Sequence, residues 1–274
     1  MAGFKNNTMK LKIGLILLGV VFSVVLIGPI FAELDPETIH WDDMAIASDA
    51  TYWFGTDVMG RDLYIRTLLG GQVSLMVGFL ATLVSVLVGV LYGMLSGFFG
   101  GRIDAIMMRL VDVFYALPFL FLVILLMVFF GQQLWLLFAA IGCYLWLDMA
   151  RIVRGQTLVL KEQAYIEAAY ALGQDNKAII LKHVLPNLKS VVIVYATLIV
   201  PQVIMIESFL SFLGLGVQEP MTSWGSLVNE GASNMELAPW SLWFPALFLS
   251  ITLVGFNLVG DGLRDRWDPS IQQS

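Results

Sequence analysis

Long apolar stretches separated by short polar segments run through almost the whole chain. An α-helix needs about 20 residues to cross the hydrocarbon core of a membrane. The stretches that are long and apolar enough for this are residues 13–31, 75–99, 110–130, 134–150, 191–215 and 240–260. The third contains Pro118, which a membrane helix tolerates because neighbouring helices satisfy the freed carbonyl group. The pattern predicts an all-α integral membrane protein with six transmembrane helices.

The composition of the 274 residues agrees with a membrane protein, since 58% are hydrophobic and only 13% are charged. A soluble domain averages about 45–50% apolar and about 25% charged residues. These values exclude a disordered chain, a secreted disulfide scaffold and an ordinary cytosolic enzyme. The single Cys143 cannot form an intrachain disulfide, and His40 and His183 are too far apart in sequence to suggest a metal site. The net charge of −6 argues against nucleic acid as a partner.

The positions of lysine and arginine predict the orientation. With the N-terminus in the cytoplasm, all but two of the 15 basic residues fall on the cytoplasmic side, the exceptions being Arg61 and Arg66. Positive charge concentrates in cytoplasmic loops, so we expect both termini in the cytoplasm. The first apolar stretch is longer than the usual signal-peptide core of about 7–15 residues, and we expect an uncleaved span. The chain divides into residues 1–70, with this span and an acidic external segment, and residues 71–274, with the other spans.

Residues 54–62 form a polar motif in the external segment, with the sequence Phe-Gly-Thr-Asp-Val-Met-Gly-Arg-Asp. Asp57 and Gly60 suit a turn, and Asp62 can cap the following helix. The apolar positions within residues 63–69 suggest an amphipathic stretch at the membrane interface. The sequence leaves two interpretations of this motif, a structural turn and a direct role with substrate.

Small residues recur at every fourth position of the second span. They are Ala81, Ser85, Gly89, Gly93 and Gly97. Small residues at this spacing lie on one face of a helix and form a flat groove that lets another helix approach closely. The pattern leaves two partners open, a helix of this chain or a helix of a second membrane subunit.

Residues 151–189 form the longest segment that the orientation places in the cytoplasm. Alanine and leucine within residues 167–172 favour a short helix, and Gly173 suits a left-handed cap at its end. Asp175 can cap a second short helix, which Pro186 should end. Two short helices joined by a glycine turn make a rigid element, and we interpret it as a candidate docking element for a cytoplasmic partner.

The same cytoplasmic segment resembles a known signature. Glu-Ala-Ala at residues 167–169, Gly173 and His-Val-Leu-Pro at residues 183–186 are similar to the EAA loop of ABC-importer membrane subunits, written EAA-x3-G-x9-I-x-L-P. His183 stands at the isoleucine position, as is common among the peptide and nickel permeases. The resemblance implies that these residues couple to an ATPase: Glu167, Ala168, Ala169, Gly173, Asp175, His183, Leu185 and Pro186.

Three further motifs resemble the same branch of permeases. They are Gly-Thr-Asp-Val-Met-Gly-Arg-Asp at residues 55–62, the stretch from Glu207 to Pro220, and Gly-Asp-Gly-Leu-Arg-Asp at residues 260–265. The resemblance runs from about residue 50 to the end of the sequence. It is most specific to the oligopeptide permeases, with a dipeptide or nickel permease as the alternatives. It implies the type I ABC-importer permease fold.

Such an importer contains two related membrane subunits, two cytoplasmic ATPases and an external peptide-binding protein. The resemblance implies that this chain is one subunit of a membrane heterodimer, multi-pass in the bacterial cytoplasmic (inner) membrane. No catalytic residue or cofactor is expected on this chain. Its sequence has no G-x-x-x-x-G-K-[ST], so ATP and Mg are expected on the partner ATPases.

Glu207 lies inside the fifth predicted span, some 24 Å from its start at a rise of about 1.5 Å per residue. An ionisable group in a span is a functional-site hypothesis by default. Ser208 adjoins it, and Ser211 lies at i+4 on the same face. These residues are candidates for the pathway near its external gate, where a carboxylate would attract the ammonium group of a peptide. In the alternative interpretation, hydrogen bonds from a neighbouring helix or subunit hold the carboxylate without substrate contact.

A different class of function is also open, a secondary transporter driven by an ion gradient, with Glu207 and Asp148 as proton or cation sites. A membrane-embedded protease is disfavoured, because the sequence has neither H-E-x-x-H nor G-x-S-x-G. The spans contain Cys143 and no histidine, which favours peptide over a free borderline metal ion such as nickel.

Overall fold

The computed structural model describes residues 2–31 and 38–267. Residues 32–37, a part of the acidic external segment, and residues 268–274 lie outside the described residues. The main elements of the described ranges are helices: α1 (Ala2–Ile27), α2 (Leu63–Phe99), α3 (Gly101–Tyr115), α4 (Phe119–Phe130), α5 (Leu134–Lys161), α6 (Ala164–Ala171), α7 (Asn176–Ile179), α8 (Leu185–Phe212), α9 (Trp224–Ser233) and α10 (Trp240–Trp267). The all-α prediction is confirmed.

Within the described ranges, five helices are long and apolar enough to cross a membrane: α1, α2, α5, α8 together with the preceding α7, and α10. The pair α3 and α4 makes a sixth span if the two are counted together, although they meet at a bend of 79°. The span count agrees with the prediction, whereas the orientation of the termini stays a prediction. We name the two ends of the bundle according to that predicted orientation. The end with residues 38–62 is called the external end, and the end with residues 162–184 is called the cytoplasmic end.

The second span begins earlier than the apolar pattern predicts. α2 starts at Leu63, because the side chain of Asp62 accepts a hydrogen bond from the backbone N–H of Tyr64 and caps the helix, as predicted. Residues 63–69, predicted as an amphipathic stretch at the membrane interface, form the first turns of α2, and Leu63 and Leu68 are buried in the bundle; their depth in the membrane stays a prediction. The first turns of α2 therefore belong to the core.

Two prolines act differently from the predictions. Pro118 does not lie within a continuous third span; it separates α3 from α4. A proline lacks the N–H group and disfavours helical backbone at the preceding residue, so the chain leaves in a new direction. Pro186 does not end a helix. It is the second residue of α8 and directly follows the π-helical turn Ile180–Val184, and the helical stretch Asn176–Phe212 continues through it.

Two clusters of buried apolar side chains hold the bundle together. The larger joins α2, α5 and α8 through residues such as Ala81, Ile141 and Val203. The smaller joins α1, α9 and α10 through residues such as Trp224 and Phe256. Inside a membrane, close packing of such side chains contributes more to helix association than the hydrophobic effect does.

The small residues of α2 face α5 of the same chain. A Cβ atom at Gly89 would lie 2.6 Å from the Cβ of Met149, and one at Gly93 would overlap the carbonyl oxygen of Ala150. The other members of the groove are buried as well, namely Ala81, Ser85 and Gly97. Of the two partners that the sequence leaves open, the structure places a helix of this chain in the groove.

Polar contacts also connect the cytoplasmic half of α5 to α3. The guanidinium of Arg154 binds Asp104 through two hydrogen bonds of 2.5 Å. Asp148, considered above as an ion site, accepts a hydrogen bond from the hydroxyl of Tyr115. This carboxylate therefore takes part in the contact between two helices.

Candidate coupling loop, buried carboxylate and external ionic cluster

The candidate coupling loop at the cytoplasmic end is fixed to the bundle by one side. Ile166 and Ala169 of α6 and Ile179 of α7 are buried within the larger core cluster. Glu167 and Ala168 lie on the exposed side of α6. The loop is thus packed against the bundle while one of its surfaces stays accessible.

The turn between α6 and α7 has the local structure that its sequence predicts. Gly173 has a φ of +80°, in the left-handed region, and its N–H donates to the carbonyl of Tyr170. The side chain of Asp175 accepts a hydrogen bond from the N–H of Ala178 and caps α7. These two residues set the angle between the short helices.

His183 connects the second half of the loop to the turn. Its Nε2 atom lies 3.0 Å from the side-chain oxygen of Gln174. A π-helical turn, Ile180–Val184, joins α7 to α8, so the loop continues directly into a helix of the bundle. Leu185 packs against the larger core cluster, whereas Pro186 is exposed.

Apolar side chains on the accessible side of the loop were not identified from the sequence. Leu172 is 81% exposed, and Tyr165 and Tyr170 are each 42% exposed. Exposed large apolar side chains on one short element are typical of a protein interface. Composition alone could not single them out, because leucine and tyrosine are also common inside a membrane bundle. They extend the set of coupling residues that the motif suggests.

Glu207 lies in a buried cage of hydroxyl groups. Its carboxylate accepts hydrogen bonds from Ser211 at 2.7 Å and from Ser74 of α2 at 3.2 Å. The hydroxyl of Ser208 lies 3.5 Å away. Ser74 in turn accepts a hydrogen bond from the backbone N–H of Trp224 in α9. The carboxylate therefore joins α8 to α2 and α9.

This geometry bears on the pathway hypothesis for Glu207, Ser208 and Ser211. The exposed fraction of Glu207 is 0% and that of Ser211 is 5%, while Ser208 is half-buried. A carboxylate closed off in this way has no open path to a substrate, so the structure favours the alternative in which a neighbouring helix holds it. The sequence could not reveal this, because Ser74 is 133 residues away along the chain.

We expect Glu207→Leu to destabilise the bundle much more than Glu207→Gln. Leucine leaves the surrounding hydroxyl groups without their acceptor, and an unsatisfied buried polar group costs about 1–3 kcal/mol. Glutamine keeps one acceptor, and its new donor can bond to a rotated hydroxyl oxygen. The thermal midpoint of the detergent-solubilised protein should fall by roughly 5 °C for leucine and far less for glutamine. A normal midpoint for Glu207→Gln together with lost transport would support the pathway hypothesis instead.

Five charged side chains form what we call the external ionic cluster: Asp57, Arg61, Arg66, Glu219 and Glu230. Asp57 accepts from Arg61 at 2.7 Å and from Arg66 at 2.6 Å. Arg66 also binds Glu230 of α9 at 2.9 Å. Arg61 binds Glu219, in the segment after α8, at 2.9 Å. The cluster connects the first external segment to the last one.

The polar motif of residues 55–62 builds the turn that holds this cluster. The hydroxyl of Thr56 donates to the carbonyl of Asp43 at 2.6 Å. One oxygen of Asp57 accepts from the backbone N–H groups of Met59 and Arg61. These contacts favour the interpretation of the motif as a structural turn. The two distant glutamates of the cluster could not be paired with the motif from sequence, because they lie about 160 residues away.

The cluster changes the acidity of its most exposed member. The hydrogen bond from Arg61 holds the pKa of the Glu219 carboxyl below its usual range. Burial by itself would lower the pKa of Arg61, but the hydrogen bond to Glu219 and the charge of Asp57 raise it above its usual value. Both groups therefore stay charged around neutral pH.

We expect the Arg61–Glu219 pair to loosen only in acid. Because the folded-state pKa of Glu219 is lowered, its contribution to stability is present above the ordinary glutamate pKa and is lost as the pH falls through the lowered pKa. Hydrogen exchange of residues 214–222, corrected for its intrinsic pH dependence, should stay constant down to about pH 5 and rise below about pH 4. Glu219→Gln should abolish this rise, whereas Glu236→Gln, in the same external loop, should keep it. If the exchange rate had already finished rising at pH 6, the attribution of the rise to Glu219 would be contradicted.

Known proteins are similar to this chain over most of its length. The family described as "Binding-protein-dependent transport system inner membrane component" matches residues 89–273. The oligopeptide transport system permease protein OppC of Escherichia coli strain K12 is 53% identical over 257 residues, which cover 93% of this chain and 85% of that protein. The protein of the same name from Bacillus subtilis strain 168 is 41% identical over 273 residues, covering 100% of this chain and 89% of that protein. The dipeptide transport system permease protein DppC of Bacillus subtilis is 44% identical over 270 residues, covering 98% of this chain and 84% of that protein.

Proposed function

The chain belongs to the family of binding-protein-dependent transport system inner membrane components, and we propose that it is the permease subunit of an ATP-driven ABC importer for oligopeptides. The observation that carries the proposal is the 53% identity, over 93% of this chain, to an oligopeptide transport system permease protein. A dipeptide substrate is the alternative, because the dipeptide permease of Bacillus subtilis, at 44% identity, lies between the oligopeptide permeases of Escherichia coli, at 53%, and of Bacillus subtilis, at 41%.

The partners of the importer follow from this assignment. They are a second membrane subunit, two cytoplasmic ATPases and an external peptide-binding protein. The broad exposed apolar surface of α3 and α4, with Ile106 at 65% and Val128 at 75% exposure, supports contact with lipid or with a second membrane subunit. The exposed Leu172 and Tyr170 of the coupling loop support contact with an ATPase. The family description and the bacterial relatives support a place in the bacterial inner membrane.

ATP hydrolysis belongs to the partner ATPases, which would bind ATP and Mg. The sequence of this chain has no phosphate-cradling G-x-x-x-x-G-K-[ST] loop. The task of this chain is then to convert a movement of the ATPases into a change of the pathway, without performing a chemical step.

The helix that follows the coupling loop can carry such a movement across the membrane. The helical stretch Asn176–Phe212 has 37 residues and includes α7, the π-helical turn and α8. At about 1.5 Å per residue it spans roughly 55 Å, more than the thickness of the hydrocarbon core. A force applied at the cytoplasmic end is therefore transmitted along one stiff element to the external half, where Glu207 ties α8 to α2 and α9.

An ion-gradient-driven transporter fits these observations less well. The two carboxylates that would serve as ion sites are both engaged with hydroxyl groups, Glu207 with serines and Asp148 with Tyr115. The family is defined by its dependence on a binding protein, which an ion-driven carrier does not require.

Affinity purification in mild detergent tests the composition of the complex. We expect a tagged copy of this chain to recover a second permease and two ATPases in fixed proportion, and a peptide-binding protein when peptide is added. An unrelated tagged multi-pass protein from the same membranes serves as the control. Recovery of this chain alone, with no ATPase under conditions where it is folded, would overturn the proposal.

A further inference from the structure

A cavity of about 530 Å³ opens at the external end, between α2, the start of α5 and the segment that follows α8. Its size falls within the range of about 300–1,000 Å³ that is typical of small-molecule sites. Its lining combines apolar side chains, among them Met76, Leu80 and Phe138, with polar ones, among them Gln133, Gln218 and Glu219. None of the functions described above uses it.

Two side chains of the segment after α8 present hydrogen-bond acceptors to the cavity. The Oε1 atom of Glu219 accepts from Arg61 at 2.9 Å, while its other oxygen has no partner among the described residues, and the side chain is 64% exposed. The side-chain NH2 of Gln218 donates to the carbonyl of Gly216 at 3.1 Å, which leaves the amide oxygen of Gln218 available. A carboxylate next to an amide oxygen is a suitable environment for a cation that carries several N–H donors.

The segment before α5 presents an amide donor to the same cavity. The indole N–H of Trp135 donates to the side-chain oxygen of Gln133, so the NH2 group of Gln133 stays available. Met76, Leu80 and Phe138 add apolar surface to the lining. The lining thus combines an anionic group, an amide donor and apolar side chains.

The amino-terminal residue of a peptide carries groups that are complementary to these. Its ammonium group requires acceptors, its first carbonyl requires a donor, and its side chain gains from apolar contact. The opposite end of a peptide carries a carboxylate, which Glu219 would repel. We propose that this cavity receives the amino-terminal residue of the peptide, with Glu219 binding the ammonium group, Gln218 adding an acceptor and Gln133 donating to the first carbonyl. This inference rests on the proposed function and adds the orientation in which the peptide first contacts this subunit.

Photocrosslinking to the assembled complex tests the inference. The complex is placed in lipid nanodiscs without nucleotide and without binding protein, so that only the membrane subunits can select the peptide. The probes are pentapeptides with p-benzoylphenylalanine either at the first or at the last residue, and an amino-terminally acetylated copy of the first. The labelled residues on this chain are identified by mass spectrometry.

We expect the probe at the first residue to label residues of the cavity wall, such as Met76 or Met221, and the probe at the last residue to label them much less. Acetylation removes the ammonium group and should lower labelling about two- to fivefold, the value expected for one ion pair at a partly exposed site. Glu219→Gln should lower labelling by the unacetylated probe to the same level. Glu236→Gln, an equivalent change in the same external loop but outside the cavity, should leave it unchanged.

Equal labelling by the two probe positions, or labelling that depends neither on acetylation nor on Glu219→Gln, would overturn the inference. Because acetylation changes only the peptide, its effect cannot come from a loosened ionic cluster. Peptide uptake is measured with the same purified complex reconstituted into liposomes, with ATP inside and the binding protein outside. Uptake without labelling of the cavity would refute this site and leave the proposed function intact, whereas absence of uptake of any peptide would refute the proposed function.

Discussion

A leucine at Gly93 should lower the yield of assembled complex more than tenfold while the chain still inserts into the membrane. A Cβ at this position would overlap the carbonyl oxygen of Ala150, which is backbone and cannot turn away as a side chain can. Overpacking of this kind costs about 1–3 kcal/mol or more, and each 1.4 kcal/mol corresponds to about a tenfold change in an equilibrium. Fluorescence-detected size-exclusion chromatography of detergent extracts measures the yield, and an immunoblot of membranes measures insertion.

Gly19→Leu is the matched control for that prediction. Gly19 also lies in an apolar membrane helix, but a Cβ there would meet no heavy atom within 4 Å. The same substitution should therefore leave the yield close to that of the unchanged chain. Equal yields for the two variants would show that the contact between α2 and α5 does not depend on the small-residue groove.

Gly173→Val should abolish most ATP-driven uptake without removing the chain from the membrane. Gly173 has a φ of +80°, which costs a β-branched residue about 1–2 kcal/mol or more, so the turn between α6 and α7 would change shape. The short helices would then present Glu167 and Leu172 at a different angle to the ATPase. We expect uptake to fall at least tenfold, with weaker recovery of the ATPase during purification.

Two controls distinguish an effect on the backbone conformation of the turn from an effect of side-chain size alone. Gly173→Asn should keep much of the uptake, because asparagine adopts the left-handed conformation far more readily than valine. Gly155→Val adds the same side chain where no heavy atom would lie within 4 Å of the Cβ, and it should have little effect. Normal uptake and normal ATPase recovery in Gly173→Val would contradict the assignment of residues 151–189 as the coupling loop.

Local features of this fold could be predicted from the sequence because they depend on neighbouring residues. The caps at Asp62 and Asp175 and the left-handed turn at Gly173 follow from side-chain chemistry within a few positions. The six apolar stretches follow from the thickness of the membrane. The bend at Pro118 could not be predicted as reliably as the caps and the apolar stretches, because a membrane helix can also accommodate a proline without breaking.

Contacts between distant parts of the chain could not be predicted. The groove on α2 was visible as a pattern, but its partner α5 follows only from the three-dimensional arrangement. Glu207 was recognised as unusual, yet the serines that bind it lie on other elements as well as its own. The glutamates of the external ionic cluster are separated from their arginines by most of the chain. A charge in a span therefore indicates that a partner exists, while only the fold shows which one.

Uptake of a labelled oligopeptide into proteoliposomes tests the central claim most directly. The vesicles contain this chain, the second permease and the two ATPases, with ATP inside and the peptide-loaded binding protein outside. The account predicts uptake that persists when a protonophore and a sodium ionophore collapse the proton and sodium gradients, and that stops when the partner ATPase carries an inactivating substitution in its own active site. Uptake that needs an imposed proton gradient and proceeds without ATP would contradict it.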